Sequence, residues 1–345
     1  MPVSTTAPSS ATTPQHDPGS VRARLAPSGV LDAWRPDRSD RPPTTVADLA
    51  DRLRDLGTVD ADLGWMGAVA AVTNLAVAEF PEETLREVWA PDVDTLVAGT
   101  LAPQGTGKWI DGTFHVRAIS SPASGLPWAD WVMATVRDID SAALVRVLVP
   151  IAEVRVEATW GAAGLQGSGG DTAHLDDVVV PARRARTLVP DPAAAPLTFF
   201  ATIFFAAPLV GAVEAALDRL LDDVADGGPR YERADVRAAV GAAALQVARA
   251  EALRTAASGA LGMRADVDAL SAVARATSAD LAVQALAAAE AALPLLVSGT
   301  GAAALHAEHP LARTVRDVGV GARHTALSPT KAAIAHTDAL FAGRS

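Results

Sequence analysis

The 345-residue chain contains no cysteine. Disulfides and thiolate metal sites are therefore excluded, and a cytoplasmic enzyme rather than a disulfide-stapled secreted domain is the expectation. Aromatic residues are scarce: seven Trp, seven Phe and one Tyr, with alanine in their place. Alanine permits close helix packing but leaves few large side chains to line a pocket. Positive charge is short too, with 29 Lys plus Arg against 40 Asp plus Glu. A net charge of -11 with no basic run argues against nucleic acid as a partner. Phosphate-bearing small molecules remain possible through local arginines. No uninterrupted apolar run suits a bilayer: the stretch at 197–213 is broken by Thr202 and Pro208. A membrane partner is not expected. The first twenty residues lack a basic and an apolar region of the signal-peptide kind, and residues 1–22 read as a disordered tail.

What is present falls into blocks. Residues 23–93 read as a short N-terminal helical domain with a charged, proline-rich loop, RPDRSDRPP, inside it. Thr45 is a candidate N-cap, with Asp48 three residues on as a capping-box partner. Trp65, Ala68, Val69, Val72, Leu75 and Ala76 recur at helical spacing within a helix over 60–79. Pro81, Glu82 and Glu83 open a third, short helix. From residue 94 to 190 the period changes to two, and strands are expected at 95–101, 108–119, 131–137, 144–149, 153–160 and 174–180. Asp111-Gly112 is a two-residue hairpin turn. From 196 to 345 the chain reads as a helical bundle, with helices near 197–225, 231–260, 267–297, 310–324 and 329–342.

This order resembles the acyl-CoA dehydrogenase superfamily. The resemblance rests on Trp109-x-Asp111-Gly112, on Trp160-x-x-x-Gly164-Leu165-x-Gly167-Ser168-Gly169, and on Asp177-Val178-x-Val180-Pro181. It implies an α+β fold: a short N-terminal helical region, a central antiparallel β-barrel-like domain and a C-terminal helical bundle. The chain looks closer to the reduced-flavin, two-component (group D) monooxygenases than to the dehydrogenases. Ser120-Ser121-Pro122-Ala123-Ser124-Gly125 precedes Asp130-Trp131, and Arg316-Asp317 is followed by His324. The dehydrogenases' Glu-Gly-Thr segment has no counterpart. The N-terminal helical domain is one or two helices shorter than the family pattern, and Pro122-Ala123 looks inserted into the serine element.

The resemblance implies FAD or FMN, taken up reduced from a separate flavin reductase, with O2 and a small organic molecule as co-substrates, in a setting of specialised metabolism. It also implies a homo-oligomer, a tetramer or dimer through the bundle. His324 and Ser121 are the expected catalytic residues; Ser120, Ser121, Ser124 and Gly125 are the expected flavin contacts. An imidazole at 324 can hydrogen-bond the reacting oxygen or deprotonate substrate near neutral pH. Otherwise it is a helix-end histidine, and the serine element an ordinary turn. Two rival activities stand beside this one: a thioester dehydrogenase-like desaturase or oxidase, and a flavin-less enzyme or scaffold that kept the fold.

Other motifs read as structure. GSGGDT at 167–172 fails the dinucleotide pattern, and GTGK at 105–108 lacks the upstream glycine and the Ser/Thr of a phosphate loop. Ser328-Pro329-Thr330-Lys331 is a helix start, as is His309-Pro310. His306 and His309 lack a third ligand, so no metal site is expected. Glu214, Asp218, Asp222 and Asp223 around Arg219 read as a solvated helix face.

Overall fold

The computed structural model describes residues 18–36, 44–90, 94–191 and 194–342. Among these residues four helices come first: α1 (Pro18–Leu25), α2 (Val46–Val59), α3 (Ala61–Val77) and α4 (Glu82–Val88). Seven strands follow: β1 (Val97–Ile110), β2 (Thr113–Ala123), β3 (Trp131–Asp138), β4 (Leu144–Pro150), β5 (Arg155–Glu157), β6 (Asp171–Pro181) and β7 (Ala185–Thr187). The chain then turns helical through α5 (Leu197–Ala225), α6 (Ala234–Ser258), α7 (Arg264–Asp268), α8 (Ala272–Thr300), α9 (Pro310–Gly321) and α10 (Pro329–Ala342).

Local chemistry sets many of these boundaries. Thr45 Oγ1 accepts from the Asp48 N–H while the Asp48 carboxylate accepts from the Thr45 N–H, a full capping box on α2. Asp60 caps α3 through the Asp62 and Leu63 N–H groups. His309 caps α9, and Ser328 Oγ accepts from Lys331 N–H at the start of α10. At the hairpin turn Asp111 and Gly112 both have positive φ, 47° and 79°, as a tight two-residue turn requires. Residues 18–22 depart from the tail expected there: they begin α1, where Leu25 is fully buried and Arg22 pairs with Asp130 of the β region at 2.8 Å. The rest of that tail, 1–17, and most of the proline-rich loop lie outside the described residues.

The sheet order is β5-β6-β2-β1-β3-β4-β7. It is mixed rather than wholly antiparallel, because β1 pairs parallel with β3 while its other edge pairs antiparallel with β2. The expected strands at 95–101 and 108–119 divide differently: β1 runs unbroken from 97 to 110, its register to β3 shifting twice, and 113–119 belongs to β2 beyond the Asp111-Gly112 turn. That long strand lets one element join the two halves of the sheet.

Helix α5 is the axis of the molecule, with 94% of its most apolar stretch buried. It packs against α2, α3, α8 and α9. Close approach depends on Gly57: a Cβ there would lie 2.1 Å from the Pro208 carbonyl oxygen of α5. Glu214 does not join a solvated face. It faces Arg54 of α2 at 3.2 Å, and Arg54 also reaches Glu251 of α6, so α5 is tied to both neighbours.

Candidate functional site

Trp65 of α3 is the centre of a cluster that gathers three elements. Its indole N–H donates to Ser124 Oγ at 3.2 Å, in the turn that follows β2. Its ring stacks on Phe205 of α5, centroids 4.6 Å apart, and meets the edge of His324 at 5.6 Å. Phe205 and His324 are themselves 4.6 Å apart. Thus His324 and Ser124, 200 positions apart in the chain, both contact the indole of Trp65. Sequence periodicity marks Trp65 only as a core residue; its place in the cluster depends on what the fold brings against its ring.

His324 follows α9 and caps the short 3-10 turn at Thr325–Leu327. Its Nδ1 accepts from the Ala326 N–H at 3.3 Å. Burial, reinforced by the Lys331 charge, pulls its pKa from the usual histidine value down to about 4. At neutral pH the ring is therefore uncharged, with Nδ1 as acceptor and the proton on Nε2. No other described group accepts that Nε2 proton. Ser124 likewise accepts from Trp65 and keeps its own hydroxyl proton to give. Two free donors on one aromatic wall suit a ligand edge carrying carbonyl oxygens and ring nitrogens, which is what the isoalloxazine of a flavin presents.

The other serines lie elsewhere. Ser121 is exposed; its N–H donates to Gln104 Oε1, its carbonyl accepts from Gln104 Nε2, and its Oγ accepts from Thr172 Oγ1. It is not brought to the Trp65 cluster. The Ser121–Pro122 peptide is cis, and the β2–β6 register shifts between Ser120 and Ala123. Ser120 points inward, and its buried hydroxyl has no partner. Gly125 has a φ of 93°, and its N–H donates to the Ser168 carbonyl.

That last bond joins the Ser124 turn to the loop over 160–170, and here the spacing of the sequence motif acquires a physical cause. Leu165, in left-handed conformation, donates its N–H to Asp317 Oδ1 of α9 at 2.7 Å. Its carbonyl accepts from both Trp160 Nε1 and Ser168 Oγ at 2.7 Å. Gly164 must be glycine, because a Cβ there would sit 2.1 Å from the Arg316 carbonyl oxygen. So the Arg-Asp pair of α9 clasps the glycine loop, and the loop in turn holds the Ser124 turn. His324 and Ser124 are thereby referenced to the same scaffold.

Beside the clasp lies a charged knot that sequence reasoning missed. Arg313 of α9 reaches Asp62 at 2.8 Å, Asp60 at 3.4 Å and Asp317 at 3.4 Å. Burial, with Asp317 and Asp60 nearby, raises the Asp62 carboxyl to about 6 despite Arg313. Burial also raises Asp317. A small cleft of about 120 Å³ opens next to the knot, lined by Asp60, Ala212, Arg219, Arg313 and Asp317 among others.

Comparison with known proteins follows the same lines. Residues 203–329 match the family model for the acyl-CoA dehydrogenase C-terminal domain. The chain is 28% identical over 135 residues to the flavin-dependent monooxygenase oxygenase subunit HsaA of Rhodococcus jostii strain RHA1, a stretch covering 38% of this chain and 35% of that protein. It is 28% identical over 233 residues to indole-3-acetate monooxygenase of Pseudomonas putida, covering 65% of this chain and 59% of that one. These matches therefore span less than two thirds of either relative. Among solved structures, XiaF from Streptomyces sp., in complex with FADH2 and glycerol, superposes with a TM-score of 0.81 at 21% identity over 94% of this chain and 96% of that one. The chain thus has the acyl-CoA dehydrogenase-like fold, and its relatives are flavin-dependent monooxygenases.

Proposed function

We propose that this protein is the oxygenase component of a two-component flavin-dependent monooxygenase, oxygenating a small organic substrate with O2 and reduced flavin delivered by a separate reductase. The observation that carries this reading is the convergence of His324 and Ser124 on Trp65, each with one proton left to donate. Similarity to the monooxygenases above supports the reaction class. When bound, reduced flavin supplies the electrons that activate O2.

The chain's own residues do the rest. Ser124 would hold the flavin edge from the β region by donating its hydroxyl proton. His324 would donate from Nε2 to the reacting oxygen. Because Nδ1 is occupied by the Ala326 N–H and the ring is neutral at pH 7, His324 serves as a fixed donor rather than a base. Trp65 and Phe205 make the wall apolar, and excluding water there strengthens both hydrogen bonds.

The test is direct. Anaerobic titration with FADH2 and with FMNH2, followed by rapid mixing with aerated buffer, should reveal binding of at least one flavin and a slowed return to oxidised flavin relative to free solution. Reduced-flavin oxidation that is indistinguishable from the protein-free rate for both flavins would defeat the proposal.

A further inference from the structure

Away from Trp65, one row of side chains crosses the sheet edge in direct register. Thr135 of β3 pairs with Arg146 of β4, and Arg146 pairs with Arg186 of β7. Directly opposed residues share a face, and like charges so placed destabilise a sheet. A third guanidinium, that of Arg264 from α7, joins them. One carboxylate serves all three: Glu79, just beyond the end of α3, lies 3.2 Å from Arg146, 3.0 Å from Arg186 and 2.9 Å from Arg264. Asp268 adds a longer contact to Arg264 at 3.6 Å. Three cations thus face two anions, and one positive charge is uncompensated among the described residues.

Burial sharpens the imbalance. The Arg146 side chain is 7% exposed, and its Nε has no hydrogen-bond partner. Thr135 is 2% exposed, and its hydroxyl is also unpartnered. Burial, with Arg186 and Arg264 close by, holds the Arg146 guanidinium below its ordinary value against the opposing pull of Glu79. Arg186 and Arg264 are 38% and 26% exposed, so the cluster opens to solvent on their side.

We propose that Arg146, Arg186 and Arg264 form a binding site for a phosphate-class oxyanion, with Glu79 as the internal counter-ion that competes for it. Guanidinium forks match the oxygens of such an anion with paired N–H donors. A bound phosphate would supply the missing negative charge. Glu79 then keeps the cluster folded when the site is empty and lowers the affinity when it is filled.

Inorganic phosphate and adenosine 5′-monophosphate are the probes, each compared with sodium chloride at matched ionic strength. Saturating phosphate should raise the melting temperature of the full chain by roughly 2–4 °C beyond chloride. Arg186→Gln, at the exposed rim, should abolish that excess. Glu79→Gln should bind phosphate about tenfold more tightly by calorimetry, since a competing charge is gone. Stronger binding of the nucleotide than of free phosphate would assign the site to an organic phosphate; the reverse would assign it to the free ion. A network that is only structural behaves differently: wild type and Arg186→Gln would respond equally to phosphate and chloride, or Glu79→Gln would bind no tighter. Either result overturns the site.

Discussion

The proton on His324 Nε2 is the smallest feature on which the proposed function rests. An imidazole with a pKa of about 4 stays neutral across the range in which enzymes are assayed. His324→Ala should lower product formed per reduced flavin by about 10²-fold, the low end for loss of a positioned proton donor. His324→Gln restores an N–H donor and should recover part of that loss. Wild-type coupling measured between pH 5.5 and 8 should show no break that disappears in His324→Gln; a break that does disappear would mean the ring titrates and acts as a base. The serines separate just as cleanly. Ser124→Ala should raise wasted hydrogen peroxide, whereas Ser121→Ala, whose hydroxyl faces Thr172, should leave the peroxide-to-product ratio near that of wild type. Equal uncoupling in both would break the assignment of Ser124.

At the level of elements, the clasp between α9 and the glycine loop should behave as a structural unit. Asp317→Ala removes a charged acceptor from the Leu165 N–H and should cost about 1.5–3 kcal/mol in urea unfolding. Asp62 acts through its titration. Its folded-state pKa, raised to about 6, means the folded chain binds more protons than the unfolded chain between the ordinary value of 3.8 and 6. Stability from this group therefore rises as pH falls through that window, and its full cost is present above it. Asp62→Asn should flatten this part of the stability–pH curve, an effect worth roughly 2–3 kcal/mol at most. An unchanged curve would show that Arg313 already neutralises the burial cost.

At the level of the whole molecule, α8 and α10 are only partly covered. Helix α8 is apolar enough to cross a membrane by length and composition, yet only 50% of its most apolar stretch is buried. Leu245 of α6 and Ile334 and Phe341 of α10 are exposed as well, and α10 has no buried residue at all. We expect a second copy of the chain to cover these helices, giving a dimer or tetramer, because large apolar side chains exposed on several neighbouring helices seldom stay open to water. Sedimentation velocity at micromolar concentration should find a species of at least twice 35.3 kDa. A stable monomer there would leave the exposed helices without an explanation.

Much of this was legible in the chain. The 29-residue α5 has the expected bounds, 197 and 225, because one face after another is apolar and Pro196 precedes it. The Asp111-Gly112 turn and the Thr45 cap were equally plain, since a turn or cap is decided by two to four neighbouring residues. A resemblance points to His324 and to the serine element; that Ser124 rather than Ser121 meets Trp65 depends on an indole from a third element, which spacing does not show. The parallel pairing of β1 with β3 was hidden for the same reason, because strand period says nothing about the neighbour's direction. Nor did spacing reveal the two charged clusters. Glu79 meets Arg146, Arg186 and Arg264 across separations of up to 185 positions. Local sequence determined where the chain coils, turns and stops; burial and long-range contact decided which protons move, and only tertiary structure sets those.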